Sequence, residues 1–401
     1  MKNYILYSSL LCIFCERFVI HGLIPFDLRF YYFIYIINLF IIGLSKLALR
    51  IKIGHLIVYL VFVLSSLYGL IRGTNTLGSL SFQVVGIFFC SLYYYNFYRA
   101  LDFDIKRIFR LYVDMSVFFA SLGIFAFVVI LPFVPNIVHT VESTMSEPAV
   151  YSYTVLPAMY YCIQVSLKEK KGYWRTFIIL LSLLLSGSSI GYLGLILCVV
   201  FLIKKISFTK AIVAISVTAI LISGIYVVSE KFRVRIDDSV KVITTKNLAE
   251  ANLSTYALLS NAFVAIESFK ESPIIGNGLG SHPTSHDRFV GNIDGVDEFE
   301  QYMQLNSKDA SSLFLRLTSE LGLMGICCAF FFIIRFYPSS KVEIKNFPEL
   351  HIIQKATLVY FLLKLLRAGH YFSPEFYFFL FIYYLAYVVL KEDMHKLQTN
   401  G

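Results

Sequence analysis

Charge is scarce in this sequence. Asp, Glu, Lys and Arg together make up 15% of its 401 residues, against 57% hydrophobic and 17% aromatic, a balance that excludes an ordinary soluble domain. Apolar runs near or above the roughly 20 residues needed to cross a bilayer recur along the whole length. One integral bundle over 1–401 is therefore expected in place of two or three soluble domains. The nucleotide-cradling G-x-x-x-x-G-K-[ST] loop is absent, and GNGLG at 276–280 lacks both the spacing and the strand-to-helix context of a dinucleotide fingerprint. Nucleic acid is not expected as a partner either, because the net charge of +9 comes mainly from short Lys and Arg clusters between apolar runs. Cys12, Cys15, Cys90, Cys162, Cys198, Cys327 and Cys328 all fall within apolar runs, so none is placed for an exterior disulfide. The C-x-x-C spacing of Cys12 and Cys15 reads as packing by small polarizable side chains in this setting.

What the sequence does have is a series of apolar segments that only helices can carry through lipid. Candidate spans lie near 4–20, 29–45, 53–71, 77–98, 111–132, 150–167, 174–187, 188–203, 211–228, 310–334, 352–368 and 373–390, about twelve in all. The first has no small-residue cleavage site and is read as a retained span. Basic clusters at Lys46/Arg50/Lys52, Arg99/Lys106/Arg107/Arg110, Lys168/Lys170/Lys171/Arg175, Lys204/Lys205/Lys210, Lys341/Lys345 and Lys391/Lys396 fall in every second loop. Both termini are thus expected in the cytoplasm, with 133–149 and the long segment 229–309 on the exterior. Within that segment Tyr256, Leu259, Phe263 and Ile266 recur at helical spacing, Ser254 is placed to cap the start, and Pro273 to stop the run. The run 174–203 is interrupted by SGSSIG, which splits it into two arms of about 22 Å each, short of a hydrocarbon core of about 30 Å. Irregular backbone at that depth has to be buried in protein or line a wet cavity, and the following helix start offers N–H groups to an anion, which makes Ser188 and Ser189 candidate substrate-binding residues.

Several residues carry candidate chemistry. Gly276, Gly278 and Gly280 allow backbone to approach a sugar or another loop closely. His282 and His286 could act as base or metal ligands, and His282 is a candidate substrate-binding residue, but the i,i+4 pair straddles Pro283 and is not expected on one helical face, so solvated loop histidines are the simpler reading. The acidic patch Asp294, Asp297, Glu298 and Glu300 lacks a complete calcium-loop pattern, and no metal site or cofactor is expected. Arg316 and Glu320 stand four residues apart on one face of a span, as an ion pair or facing a cavity. Asp309 opens that span, while Arg367 and His370 follow the next one on the same exterior side. Arg367 either snorkels to headgroups or holds a diphosphate. Glu147, just before the helix-starting Pro148, is placed to take a proton from a hydroxyl.

Taken in order, SEPAVYSY, LLLSGSSIGYLG, ESPIIGNGLGS and DASSLFLRLTSELGLMG resemble the Wzy-type O-antigen and capsular polysaccharide polymerases of the O-antigen ligase and polymerase superfamily, over roughly 140–335. The resemblance implies a glycosyltransferase of the bacterial inner membrane acting at the periplasmic face on undecaprenyl-diphosphate-linked oligosaccharide. It would move the growing chain onto the next lipid-linked repeat unit, among membrane lipids and beside a chain-length regulator and a flippase. By motif, Glu147 matches the family's EP position, Gly276, Gly278 and Gly280 its loop glycines, and Gly322 and Gly325 its E-x-G-x-x-G-like span.

There are departures from the pattern. Relatives often carry Arg before EP, before the loop glycines and in the S-R-x-G turn, whereas 133–149 and 247–287 contain none and the turn has Ser189. Diphosphate contact is then expected from Arg316 and Arg367, and Glu147, Arg316 and Glu320 are the expected catalytic residues. An O-antigen ligase would share the fold, but a His or His-Asn usually precedes the span that here opens with Asp309. A lipid-linked-glycan flippase would need no exterior segment of this length and should show similar halves.

Overall fold

In the computed structural model, residues 1–20, 28–45, 48–130, 140–203, 230–245, 251–293, 301–337 and 346–399 are described, with isolated positions between them. The expected span 211–228 lies largely outside the described residues, as do Asp294, Asp297, Glu298 and Glu300 of the acidic patch and the loop lysines Lys46, Lys204, Lys205, Lys210, Lys341 and Lys345.

The apolar runs become helices: α1 (Lys2–Phe14), α2 (Tyr31–Leu44), α3 (Ile53–Ile71), α4 (Leu77–Ala100), α5 (Ile105–Phe125), α6 (Pro148–Glu169), α7 (Tyr173–Leu185) and α8 (Ser189–Ile203). They continue as α9 (Glu230–Thr245), α10 (Leu253–Glu271), α11 (His282–Phe289), α12 (Leu313–Arg335), α13 (Pro348–Leu366) and α14 (Pro374–Thr399). The departure from an all-α fold is a two-residue antiparallel ribbon of β1 (Val19–Ile20) and β2 (Leu28–Arg29) where the first two spans were expected to begin and end. Among the described residues five helices are long and apolar enough to cross a membrane: α3, α4, α5 with its π-helical continuation, α12 and α14. The protein is a multi-pass membrane protein. Its apolar side chains point outward, as Ile57, Leu60 and Leu64 on α3, Phe118 and Phe125 on α5, and Phe331 and Ile334 on α12 are all exposed, which water would penalise and lipid does not.

Two helices of similar length, α6 and α13, are less apolar because they form the centre. Every residue from Val150 to Cys162 of α6 is buried, and α13 packs along it more extensively than any other helix pair. Neighbours on all sides remove the need for a lipid-facing stripe, so Tyr, Ser, Thr and even Lys364 are accommodated there. Arg110 reaches Glu349 with two hydrogen bonds of 2.6 Å at the start of α13, and Tyr161 joins them from the far end of α6. Glu147 and Arg367 belong to the opposite ends of the same two helices, about 28 Å away.

Outside this core, α10 packs on α12. Its start is capped by Asn252, which accepts from the Thr255 N–H, not by Ser254, and it ends at Glu271 just before Pro273. Its buried face is Tyr256, Ala257, Ser260, Asn261, Val264, Ala265 and Ser268, while Ile266 is exposed. The spacing of the large apolar residues pointed to a different stripe, because small residues were what close helix approach required.

The loop after α10 explains its glycines. Helix α12 opens at Gly322, whose φ of 57° and ψ of −147° are not helical, and the loop lends its backbone to the gap. Asn277 and Gly278 donate to the carbonyls of Ser319 and Glu320, and Leu323 and Met324 donate to those of Pro273 and Ile274. A Cβ on Gly276 (φ 69°) would meet the Glu320 carbonyl oxygen at 2.4 Å, and one on Gly278 (φ 96°) would meet the Ser66 Cα at 2.9 Å. Replacing Gly276 by Ala is therefore expected to destabilise by about 1–3 kcal/mol through backbone strain, before any cost of the contact. Gly291→Ala, where nothing lies within 4 Å, is the control. Thermal unfolding midpoints of the two variants in detergent check this: the first should fall by several degrees and the second should not.

Candidate functional site

A cavity of about 530 Å³ opens at the end of the bundle where α1, the ribbon, α6, α13, α14 and the loop before α12 converge. Each charged group arrives there at a helix end. Glu147 is the extended residue before Pro148, and its carboxylate makes no capping bond to the helix, which leaves it 54% exposed toward the cavity. Arg367 follows the last turn of α13, and His370 and Ser373 occupy the short turn before Pro374. On the facing wall, Gln304, Asn306, Ser307, Lys308, Asp309 and Ser311 lead into α12, which Ser312 caps by accepting from the Leu315 N–H.

The walls are strained. Asn306, Ala310, Ser311 and Ala368 all have φ between 58° and 64°, left-handed conformations that cost non-glycine residues free energy unless their surroundings enforce them. Enforcement is visible. The Ala368 N–H donates to the Ser311 carbonyl at 2.8 Å, the Ser311 hydroxyl donates to the Ala257 carbonyl at 3.0 Å, and the Ser312 hydroxyl donates to the Leu365 carbonyl at 2.6 Å.

Charge is balanced pair by pair. Arg29 bonds to Glu16, and fully buried Lys364 donates to Ser373 and Glu375, both at 3.1 Å, with Tyr153 stacked 5.3 Å from its ammonium. The other two pairs are looser, with Arg367 3.9 Å from Glu147 and His370 Nε2 3.5 Å from Asp309. Confinement of the ring holds His370 below its ordinary value, Asp309 partly opposes this, and Arg29, Lys364 and Arg316 push further down. A neutral imidazole beside a carboxylate accepts protons, and the cations facing it suit a polyanion.

Four of the residues expected from the sequence thus meet in one cavity: Glu147, Asp309, Arg367 and His370. Others do not. Arg316 and Glu320 form a buried pair at 3.0 Å inside the bundle and do not line the cavity, so their expected diphosphate contact has no direct route. Gly276, Gly278 and Gly280 press on α12, α3 and α4, which corrects the expected approach to a sugar. His282 and His286 are buried on α11, with Pro283 in its first turn, and are not solvated loop residues. Both His282 nitrogens are engaged, by Ser319 at 2.8 Å and Asn261 at 2.9 Å, and burial, then His286 and Arg316, lower its proton affinity. The break at SGSSIG is a true turn between α7 and α8. Ser186 reaches Ser152 in the first turn of α6 at 3.2 Å, while Ser188 accepts from the Gly191 N–H at 3.4 Å and Ser189 is exposed. Neither Ser188 nor Ser189 lines the cavity.

Glu16, Arg29, Lys308 and Lys364 were not singled out from the sequence. For Glu16 and Lys364 the signal was available, since an ionisable residue inside an apolar run is a site candidate in its own right. Arg29 carried none, because only the pairing of the ribbon turns it inward.

No curated protein matches the chain. Among protein families, the O-antigen ligase family matches residues 175–330, from α7 to within α12. The matched stretch includes the cavity wall 304–311 but begins after Glu147 and ends before Lys364, Arg367 and His370. Over that stretch, which is less than half of the 401 residues, the chain is similar to the O-antigen ligase family.

Proposed function

We propose that the protein is a polysaccharide polymerase, transferring the growing undecaprenyl-diphosphate-linked glycan onto the next lipid-linked repeat unit at the periplasmic face of the inner membrane. The observation that carries the reading is the cavity itself, where Arg29, Lys364, Arg367 and His370 face Glu147 and Asp309 at one end of the bundle. That end carries Ser146, Glu147 and 304–309, which belong to the two segments, 133–149 and 229–309, whose exterior placement is expected from the alternation of basic loops among about twelve spans. A chain-length regulator and a flippase are the proposed partners.

In this mechanism the acceptor hydroxyl attacks the anomeric carbon of the donor sugar as the bond to the diphosphate oxygen breaks. The leaving diphosphate keeps the electron pair, and Arg367 neutralises it. His370 takes the hydroxyl proton, and Asp309 steadies the resulting imidazolium. Glu147, set free as Arg367 turns to phosphate, holds the acceptor sugar and is the second proton acceptor within the cavity. Because diphosphate leaves readily, the protein must orient and neutralise more than it must activate.

A ligase reading is supported by the match to the O-antigen ligase family. It changes only the acceptor, from a lipid-linked repeat to lipid A-core. Gels of surface polysaccharide from a clean deletion separate the two. Polymerase loss leaves core carrying one repeat unit, whereas bare core with polymer accumulating on carrier lipid would establish the ligase. The purified protein is expected to lengthen lipid-linked repeats without ATP or nucleotide sugar, since the donor arrives activated.

The proton acceptor is tested by pH. A base held below the ordinary histidine value near 6.5 stays unprotonated well into mild acid, so kcat/KM should remain on its plateau at pH 6 and fall only below it. His370→Asn should lower kcat about 100-fold or more. If Glu147→Gln alone removes the acid limb while His370→Asn leaves it in place, the two roles are reversed.

A further inference from the structure

Arg316 is 1% exposed and does not line the cavity, yet it touches the turn that does. Its Nη1 donates to the Gly369 carbonyl at 3.0 Å, and its guanidinium lies 4.2 Å from the centre of the Tyr371 ring. Its Nε donates to Glu320 at 3.0 Å, which compensates the charge within α12 itself. Gly369 and Tyr371 flank His370 on either side. From the front, the same turn is pressed on the loop before α12 so tightly that a Cβ on Gly369 would come within 1.8 Å of the Asp309 carbonyl oxygen. The adjacent Ala368 N–H completes that contact on Ser311.

We infer that Arg316 and Gly369 are positioning residues, which clamp the 367–371 turn between α12 and the 309–312 loop and so hold His370 against Asp309 and Arg367 in the cavity. The inference rests on the transferase reading above and adds to it the device that sets its geometry. Arginine is suited to the task because one planar group serves an acceptor on each edge and an aromatic ring on its face. A lysine ammonium keeps the charge but reaches only one or two of these three partners at once.

The turn's position is measured first, without any assay of activity. Ser311→Cys and Ala368→Cys, whose backbones are joined at 2.8 Å, should form a disulfide under mild oxidation, read by peptide mapping of the full-length protein in detergent. Adding Arg316→Lys, or Gly369→Ala, should slow its formation about tenfold or more, as the turn leaves its dock. An unchanged rate in both overturns the inference, whatever the protein catalyses.

The second measurement is chain extension on lipid-linked repeat units. Arg316→Lys should lower kcat about tenfold and leave KM within about twofold. Combined with His370→Asn, which removes the group being positioned, it should cost almost nothing further. A raised KM at unchanged kcat would make Arg316 a substrate contact, and full multiplication of the two losses would make it a merely structural residue. Should wild-type protein extend no chain while the disulfide still responds to Arg316→Lys, the clamp stands and the transferase reading falls.

Discussion

The opened hydrogen-bond ladder of α12 is the constraint on which the cavity end of the molecule depends. At Gly322 the helix stops bonding to itself, and the 273–278 loop supplies two donors and two acceptors in place of the missing turn. Buried backbone groups left without partners would each cost about as much as a lost hydrogen bond, so loop and helix cannot be placed independently. That junction carries α10 and α11 with it and brings Gly278 and Gly280 onto α3 and α4. It also fixes the start of α12, and hence Asp309 and Ser311.

A second constraint is charge in a low-dielectric setting. An uncompensated ammonium or carboxylate inside a bundle is expensive. Lys364 is held by Glu375 and Ser373, Arg29 by Glu16, and Arg316 by Glu320. Such pairs, the first two at the cavity wall and the third behind it, need no substrate to be satisfied. Arg367 with Glu147 and His370 with Asp309 are longer and more exposed, and these are the contacts that a bound anion can exchange at little cost.

How much of this could be read from residues alone divides along the same line. The helices were legible because apolar runs of span length admit no other structure, and Glu147, Asp309, Arg367 and His370 stood out because they lie at the ends of such runs. Arg316 and Glu320 stood out too, but spacing along one helix cannot say whether a pair faces a cavity or the back of a neighbouring turn. His282 and His286 were misread because Pro283 looked like a loop residue, whereas it sits in the first turn of α11, where a missing N–H costs nothing. The glycines were legible as points of close approach, and their partner was not, since a helix that breaks to receive them leaves only Gly322 as its trace. The buried stripe of α10 was hidden because small residues such as Ala257, Ser260 and Ala265 carry little hydrophobic signal.

The cavity draws its walls from segments far apart along the chain. Glu16 and Arg29 come from the beginning, Glu147 from the middle, and His370 and Ser373 from the approach to the last helix. A ribosome feeding this chain into a membrane N-terminus first releases Glu16 and Arg29 hundreds of residues before the turn that completes the site. Throughout that interval the nascent chain has membrane helices but not the complete cavity. Assembly of the cavity is thereby tied to the arrival of the 367–373 turn, and a chain stopped short of it lacks that wall.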